Sequence, residues 1–341
     1  MKKIVTFGEI MLRLSTPEHK RITQAEMFHT TYGGGEFNVA ASLACFGMNT
    51  FYVTKVPKNF VGQAAIRYIQ RFGIHTDYII KGGDRLGIYF LEAGVAHRPS
   101  RVVYDRAHSS ISKVSPEEFD WAAILKGAAW FHWTGITPAL SDNAVLCVKK
   151  ACEEAKKQNA IVSCDLNYRN KLWSKDKANR VMTDLMQYVD VCVGNEEDAS
   201  CVFGIEMAKS DVHSGEIVFA EYESIAKQLQ DRFNFKYVAI TLRESFSASR
   251  NGWSALIYDG KQCCKSTRYD IFPIVDRVGG GDSFVAGLIY SLLSDKSLQQ
   301  TIEFAVAASC LKHTISGDCN LVTVDEVELL MGGDGSGRVQ R

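Results

Sequence analysis

The alternation of short apolar runs with longer helical runs constrains the fold of this 341-residue chain more than any other feature of its sequence. Such an order is typical of a parallel β-sheet with helices packed on both of its faces. We predict strands at 4–7, 51–56, 130–133, 161–165, 189–193 and 237–241, and helices that begin near Phe37 and Glu196 or span 62–72, 142–158, 224–233, 283–292, 297–310 and 324–331. The sequence therefore predicts an α/β fold.

Two stretches, at about 11–31 and 84–107, interrupt this alternation, because β-type residues there are interleaved with charged residues and show no helical period. A third stretch, 332–341, is rich in glycine, and we predict a flexible tail there. With 46% hydrophobic residues the chain can fill one large core, although its length alone would also allow two domains. We predict a single domain over 1–341 from which the two interrupting stretches project.

Charge and cysteine usage restrict the class of partner. Lys plus Arg and Asp plus Glu are both 39, so no basic excess favours nucleic acid or an anionic membrane. The apolar stretch near the N-terminus is too short for a signal peptide, and no run is long enough to span a bilayer. The ten cysteines include no C-x-x-C pair, and the histidines lack the spacing of a zinc site. We therefore expect a cytoplasmic protein that acts on small molecules.

A glycine turn is the strongest candidate for a reactive site. Gly279, Gly280 and Gly281 are followed by Asp282 and then by an apolar helical run. Glycines let backbone N–H groups converge on one point, and the helix adds the positive end of its dipole, so the turn suits a phosphoryl group. Asp282 at its rim would accept a proton from an attacking hydroxyl. Taken alone, such a turn is more often only a loop with an Asp N-cap.

A second glycine turn, followed by a helix of small residues, makes the pattern specific. Together the two turns resemble the signatures of the PfkB, or ribokinase-like, family of carbohydrate kinases. The first signature is matched by Gly33, Gly34, Asn38 and Ala40, and the second by Asp276, Gly279, Gly281 and Asp282. Arg277 and Gly280 depart from it, since most members carry Thr and Ala there. The resemblance runs from Gly8 to about Leu330.

Within the family, the subgroup of 2-keto-3-deoxygluconate kinases is the most similar. The residues that carry this resemblance are Gly8 and Glu9, 87–89, 104–106, 135–140, 165–169, Gly317 and Asp318. The resemblance implies a ribokinase-like three-layer α/β/α sandwich with a mainly parallel central sheet, and a small β-sheet lid made by the two interrupting stretches. It also implies ATP-dependent formation of 2-keto-3-deoxy-6-phosphogluconate, Mg²⁺ as cofactor, and a homodimer formed through the lid or a higher oligomer. It leaves a requirement for a monovalent cation open.

The resemblance also assigns residues. Asp282 is the expected general base, with Gly279, Gly280 and Gly281 as the anion hole. The expected substrate-binding residues are Gly34, Asn38, Tyr89, Tyr104, Arg106, Arg169, Asp282 and Asp318. A guanidinium matches the carboxylate of a sugar acid in geometry, which makes Arg106 and Arg169 the candidates for that contact. Each arginine taken alone would more often be a solvated surface residue.

The nucleotide and metal sites match the family less well. For ATP we expect Asn167, Asn195, Thr241, Arg243, Ser245, Gly279 and Gly281, with a loop after the strand 237–241 that lacks the usual glycines. For the metal, held through water, we expect Asn195 and either Asp198 or Glu197. The same acidic residues also fit an ordinary helix start capped by Asn195. No G-x-x-x-x-G-K-[ST] is present, which excludes a Walker-type ATPase as far as motifs can.

Two other functions compete with this one. The runner-up is a kinase for a neutral sugar such as fructose or ribose, which would have no use for two guanidiniums. The second is a non-catalytic sugar-binding protein, a reading that the presence of Asp282 disfavours. An oxidoreductase would need G-x-G-x-x-G after the first strand, and the sequence there does not supply it. The preference between the gluconate and galactonate epimers stays open.

Overall fold

A computed structural model describes residues 2–206 and 219–333. Its strands are β1 Lys3–Phe7, β2 Met11–Ser15, β3 His29–Gly33, β4 Asn49–Val53, β5 Lys55–Val56, β6 Ile80–Lys81, β7 Gly87–Glu92, β8 Arg101–Asp105, β9 Ala128–Thr134, β10 Ile161–Asp165, β11 Val191–Gly194, β12 Tyr237–Ser247, β13 Arg250–Tyr258, β14 Cys263–Lys265 and β15 Tyr269–Ile271. Its α-helices are α1 Gly35–Cys45, α2 Phe60–Gln70, α3 Trp121–Leu125, α4 Ile136–Ala139, α5 Asp142–Lys157, α6 Lys175–Met186, α7 Glu196–Phe203, α8 Phe219–Phe233, α9 Gly280–Leu293, α10 Leu298–Lys312 and α11 Val324–Met331. Most of the predicted tail, from residue 334 on, lies outside the described residues.

The large sheet has nine strands within the described residues, in the order β14-β13-β12-β11-β10-β9-β1-β4, with β15 also paired to β13. From β4 to β12 all neighbours are parallel, and the β12–β13 hairpin adds antiparallel strands at one edge. The parallel strands therefore end at one common edge, where α/β proteins place their ligands.

Helices cover both faces of the large sheet, because side chains along each strand alternate between the faces. On β1, Ile4 joins an apolar cluster with α9 and α10, whereas Val5 and Phe7 join a second cluster with α5, α6 and α8. The side chains of Phe284 and Val148, one in each cluster, are fully buried. The predicted three-layer α/β/α sandwich with a mainly parallel sheet is thus confirmed.

A small sheet of four strands, in the order β3-β2-β7-β8, is built from the two stretches that interrupt the alternation. Its register places Arg13, Tyr89 and Tyr104 side by side on one face. The opposite face carries Leu14, Phe90 and Val103 in register. The first face lies towards the carboxyl ends of the large sheet; movement of this sheet as a lid remains a prediction.

One detail of the sequence prediction is wrong, and one alternative that it left open does not hold. The expected nucleotide loop after residue 241 is the continuation of strand β12 to Ser247, because it pairs with β13 in an antiparallel hairpin. Asp282 is not an N-cap: α9 is capped by Gly279 and Asp282 lies in its first turn. None of the helices in the described part of the chain combines the length and apolarity needed to cross a bilayer.

Candidate active site

A cavity of about 510 Å³ lies between the carboxyl ends of the parallel strands and the small sheet. With the exception of Gly280, every residue that the sequence singled out for the site lines it. These residues are Gly34, Asn38, Tyr89, Tyr104, Arg106, Asn167, Arg169, Asn195, Glu197, Asp198, Thr241, Arg243, Ser245, Gly279, Gly281, Asp282 and Asp318. The strands that end here, β10 and β11, and the helix that begins here, α9, place substrate, nucleotide and base candidates around one space.

The turn before α9 has a backbone conformation that requires glycine. Gly279 has φ 85°, and a Cβ at this position would lie 1.9 Å from the carbonyl oxygen of Asp318. Both features require glycine. The carboxylate of Asp276 accepts from the N–H of Val278 at 3.1 Å and so fixes the entry to the turn.

Two of the three glycines, Gly279 and Gly281, line the cavity, and the third does not. Gly280 donates its N–H to the carbonyl of Arg277 at 3.3 Å and does not line the cavity. Its assignment to the anion hole is therefore corrected: Gly280 shapes the turn. The N–H groups of Gly279 and Gly281 have no hydrogen-bond acceptor among the described residues.

Asp282 is half-buried and is held by Asn38, whose Nδ2 donates to Oδ2 at 2.7 Å. Burial raises the pKa of Asp282 to about 6, and the Asn38 hydrogen bond opposes this shift. Asn38 lies on α1, which begins tightly against the neighbouring chain, since a Cβ on Gly34 would lie 1.9 Å from the carbonyl oxygen of Glu9. The sequence predicted Asn38 as a substrate ligand, which stays a prediction; in the structure its side-chain amide bonds to Asp282.

The small sheet contacts the glycine turn through buried charges. Arg13 pairs with Asp276 at 2.5 Å and also with Asp318, and the hydroxyl of Tyr89 donates to Asp318. All four side chains are buried. Sequence reasoning missed Arg13. It predicted Tyr89 and Asp318 as substrate ligands; both line the cavity, and their contact with substrate stays a prediction. Arg13 stands in a β-type run with no motif around it, so no local signal marked it.

Arg106 is neutralised inside the protein. Its Nε donates to Oε2 of Glu9 at 2.8 Å, Nη2 donates to the same oxygen, and the guanidinium lies 5.4 Å from the ring centre of Tyr104. Because Arg106 already pairs with the buried carboxylate of Glu9, it is less available to bind the carboxylate of a ligand than the sequence indicated.

Three other arginines that line the cavity, Arg169, Arg243 and Arg277, make no ion pair with a carboxylate among the described residues. Arg169 makes one weak contact, to the carbonyl of Tyr168 at 3.4 Å. Arg277 donates to the carbonyls of Ser247 and Ala248 on the hairpin, and burial together with nearby Arg243 lowers its pKa. The sequence missed Arg277 as a site residue, although its place in the glycine motif marked it.

The acidic helix start is a capping box. Asn195 Oδ1 accepts from the N–H of Asp198 at 2.8 Å, while Asp198 accepts from the N–H groups of Asn195 at 3.3 Å and Tyr168 at 2.8 Å. Glu197 beside them is exposed. Within residues 2–206 and 219–333, no group of three or more His, Cys, Asp or Glu side chains is arranged to hold a metal directly.

Asp165 lines the cavity at the end of β10 and was not predicted as a site residue. Burial raises its pKa well above the ordinary value, nearby Asp198 and Asp282 add to the shift, and Arg169 opposes it. Its position at a strand's carboxyl end was the available signal.

A half-buried carboxylate in the first turn of a helix, and arginines without a carboxylate partner among the described residues, line one cavity. These are features of a phosphoryl-transfer site. A model of the pfkB family of carbohydrate kinases matches residues 1–324, and the chain belongs to that family. It is a carbohydrate kinase, and its resemblance to ribokinase-like proteins is confirmed.

Named relatives are similar over nearly the whole chain. The crystal structure of a 2-dehydro-3-deoxygluconokinase from Thermotoga maritima is 51% identical, with a TM-score of 0.94 over 98% of this chain and 100% of that one. A 2-dehydro-3-deoxygalactonokinase from Haloferax volcanii is 31% identical over 97% of this chain and 98% of its own length. A 2-dehydro-3-deoxygluconokinase from Thermoproteus tenax is 26% identical over 93% of this chain and 90% of its own.

Proposed function

We propose that this kinase transfers the γ-phosphoryl group of ATP to 2-keto-3-deoxygluconate, the compound also called 2-dehydro-3-deoxygluconate, and forms 2-keto-3-deoxy-6-phosphogluconate. The names of two relatives support this substrate, and one of them is 51% identical to this chain. The observation that carries the proposal is Arg169: an exposed guanidinium that lines the same cavity as Asp282 without a carboxylate partner of its own.

The proposed chemistry divides among the residues of the cavity. Asp282, oriented by Asn38, accepts the proton of the attacking hydroxyl. The N–H groups of Gly279 and Gly281 stabilise charge on the phosphoryl oxygens as it develops. Arg243 on β12 and Arg277, which bonds to the tip of the β12–β13 hairpin, contact the ATP phosphates. Asn167, Thr241 and Ser245 line the nucleotide side. In this proposal the residues act by positioning the two substrates and by stabilising negative charge on the phosphates, which are the main contributions of a protein to phosphoryl transfer.

Mg²⁺ belongs to the proposed reaction because it neutralises charge on the phosphates when bound. The residues present fit an ion held through water. Asn195 and Asp198 both line the cavity but use their oxygens on backbone amides, whereas Glu197 is exposed at the same helix start. We propose that Glu197 orients the metal-bound water and that Asn195 and Asp198 hold the helix start in place.

The sugar-acid carboxylate is assigned to Arg169. Arg106 already shares its charge with Glu9, so a second carboxylate there gains less. Arg169 has only a weak backbone contact to give up. A guanidinium binds a carboxylate through two parallel hydrogen bonds, a geometry that lysine cannot reproduce.

Coupled ADP-release assays with 2-keto-3-deoxygluconate, fructose and ribose test this proposal. We expect Arg169→Ala to raise the KM for the keto acid by roughly tenfold to a hundredfold, the worth of a lost charge-assisted pair of about 1.5–3 kcal/mol. Arg169→Lys should recover part of the loss. Arg180→Ala, a change at an exposed arginine on α6, is the matched control and should leave KM unchanged. Equal phosphorylation of fructose, with both activities falling together in Arg169→Ala, would favour the neutral-sugar kinase.

The galactonate epimer is a second candidate substrate, because a relative that is 31% identical is named 2-dehydro-3-deoxygalactonokinase. The two epimers share the carboxylate, so the Arg169 contact does not distinguish them. The ratio of kcat/KM for the two epimers, measured with the unaltered enzyme, decides between these candidates.

We also propose a homodimer formed through the outer face of the small sheet. Leu14, Ile88 and Phe90 are only half-buried there and Val103 is 52% exposed, so the face is an apolar patch on a sheet. Val103→Glu should convert the dimer to a monomer in light scattering coupled to gel filtration. Leu146→Glu, at an exposed position on α5, is the control. A monomeric unaltered protein would contradict the proposal.

A cytoplasmic location is part of the proposed function. All ten cysteines are free, as expected of a protein in a reducing compartment.

A further inference from the structure

The C-terminal end of α10 supports the segment that leads into the glycine turn. The carbonyl of His313 accepts from the N–H groups of Val275 at 2.8 Å and Asp276 at 3.2 Å. The imidazole of His313 packs under the turn, since a Cβ on Gly280 would lie 2.6 Å from its Cε1 atom. Burial lowers the pKa of His313 to about 4, so this ring supports the turn as a neutral group.

Lys312, the last residue of α10, is fully buried in this support. Its Nζ donates to the carbonyl oxygen of Asp276 at 3.3 Å and to that of Ile315 at 3.1 Å. Lysine is almost never fully buried unless its charge is compensated. Asp276 and Asp318 provide that compensation and favour the charged amine, while burial is the larger influence and lowers its pKa.

We propose that the Lys312 ammonium acts as a built-in monovalent cation for the glycine turn, so that phosphoryl transfer by this enzyme needs no added potassium. Lys312 is a positioning residue: it holds the carbonyl of Asp276, from which the turn to Gly279 and Gly281 departs. The proposal rests on the kinase reaction of the proposed function and not on which sugar acid is the acceptor.

The donor set does not fit a free alkali cation. Such an ion takes oxygen ligands, and the two carbonyl oxygens at this position already accept from Nζ. The charges argue the same way. Arg13 and Lys312 are balanced by Asp276 and Asp318, all of them buried. A further cation would leave the cluster with one uncompensated positive charge, which is costly away from water.

The tethered ammonium also acts on the base. Its charge favours the ionised form of Asp282 and so opposes the rise in the pKa of Asp282 that burial causes. Loss of the ammonium should therefore disturb the conformation of the turn and lower the ionised fraction of Asp282. A small cation that enters the vacated volume would restore both, whereas a purely structural lysine would not be replaced by a salt.

The test compares the unaltered enzyme with Lys312→Met in chloride salts of potassium, sodium and tetramethylammonium at one ionic strength. ADP release by the unaltered enzyme should vary by less than about twofold among the salts, as screening is then equal. Lys312→Met should be slower in tetramethylammonium by roughly tenfold to a hundredfold, the range for a lost contact to a charged group, and potassium should restore much of it. Lys296→Met, at a lysine paired with Glu328 far from the turn, should behave as the unaltered enzyme.

A second readout does not depend on activity. Potassium should raise the Tm of Lys312→Met above its value in tetramethylammonium and leave the Tm of the unaltered protein unchanged. Activation of the unaltered enzyme by potassium, or full activity of Lys312→Met in tetramethylammonium, would overturn the proposal. If Lys312→Met does not fold, the salt series on the unaltered enzyme still decides. If no tested sugar is phosphorylated, the substrate assignment fails, and the Tm comparison still judges Lys312.

Discussion

The large sheet and the small sheet are held by different proportions of apolar and charged contacts. Both faces of the large sheet are covered by apolar side chains, such as Phe284 on one side and Val148 on the other, which are fully buried. The small sheet has smaller apolar contacts, in which Leu12 and Tyr32 pack against α1 and α2. It meets the glycine turn through Arg13 and Tyr89, which bond to buried carboxylates, and the part of its outer face around Val103 is exposed. Apolar burial stabilises the large sheet at any protonation state. The strength of the charged contact made by the small sheet depends on the protonation of its carboxylates and on charged ligands nearby. Asp282, the proposed base, belongs to the first region, and the small sheet that borders the cavity is the second.

The largest expected effect is on the base in the apolar region. We expect Asp282→Asn to lower kcat by about 10²–10⁴, the usual worth of a positioned base, with ATP affinity retained. Burial raises the pKa of Asp282 to about 6, so at neutral pH the folded state bears the cost of a buried charge. The Asn variant should therefore unfold at the same Tm or higher.

Asp231→Asn, at an exposed position on α8, is the control for that variant and should change neither kcat nor Tm. Turnover by Asp282→Asn at the unaltered rate would remove Asp282 from its role.

Breaking the charged contact should affect stability instead. Arg13→Met leaves Asp276 and Asp318 without their shared partner, and removal of one member of a buried ion pair costs about 3–5 kcal/mol. Denaturant unfolding measures this loss. Arg85→Met removes a more exposed pair with Asp105 on the same sheet and should cost under about 1 kcal/mol. Equal losses of unfolding free energy in the two variants would show that the buried ion pairs of Arg13 stabilise the fold no more than an exposed pair does.

The third prediction concerns the dependence of kcat/KM on pH, which Asp282 in the first region should determine. Because Asp282 must be ionised to accept a proton and burial raises its pKa to about 6, kcat/KM should fall by about tenfold per pH unit below that value. The fall should disappear from the residual activity of Asp282→Asn. A profile that is flat down to pH 5 would mean that the carboxyl titrates lower in solution.

The smallest effect concerns motion of the small sheet. Strand β8 is its edge, pairs only with β7 among the described strands, and carries mostly exposed residues. We expect the keto acid to slow amide hydrogen exchange around Tyr104 more than around Tyr89, whose hydroxyl is already bonded to Asp318. Equal protection with and without the sugar acid at both positions would contradict a mobile cover.

Much of the fold was predictable because its signals are local. The strand at Ile161–Asp165 and the helix at Val324–Met331 begin and end at the predicted residues. The continuation of β12 to Ser247 was missed because it depends on pairing with β13, which local propensity does not encode. The glycine turn was found because glycine and aspartate mark its conformation directly.

Site residues could be predicted where they belong to a sequence motif. They could not be predicted where the role of the side chain depends on an ion-pair or hydrogen-bond partner that is distant in the sequence. Arg106 and Arg169 looked alike in the sequence, and only the structure shows that Glu9 neutralises the first. Arg13 lies 263 residues from Asp276 in the chain, so no local pattern links them. Gly280 looked like its two neighbours until its N–H was seen to donate to Arg277.

One contact between the two regions has a thermodynamic consequence. The loop between β7 and β8 meets the tip of the β12–β13 hairpin, where Ala248 donates its N–H to the carbonyl of Ala96 at 2.7 Å and Ala96 donates to Ser249 Oγ at 3.1 Å. Under the proposed assignment, one side of this contact covers the sugar and the other borders the nucleotide. If it forms more fully when either substrate is present, each must tighten the binding of the other by the same factor. The release of one product would then weaken the binding of the other, which would not occur if the sugar and nucleotide sides of the cavity made no contact.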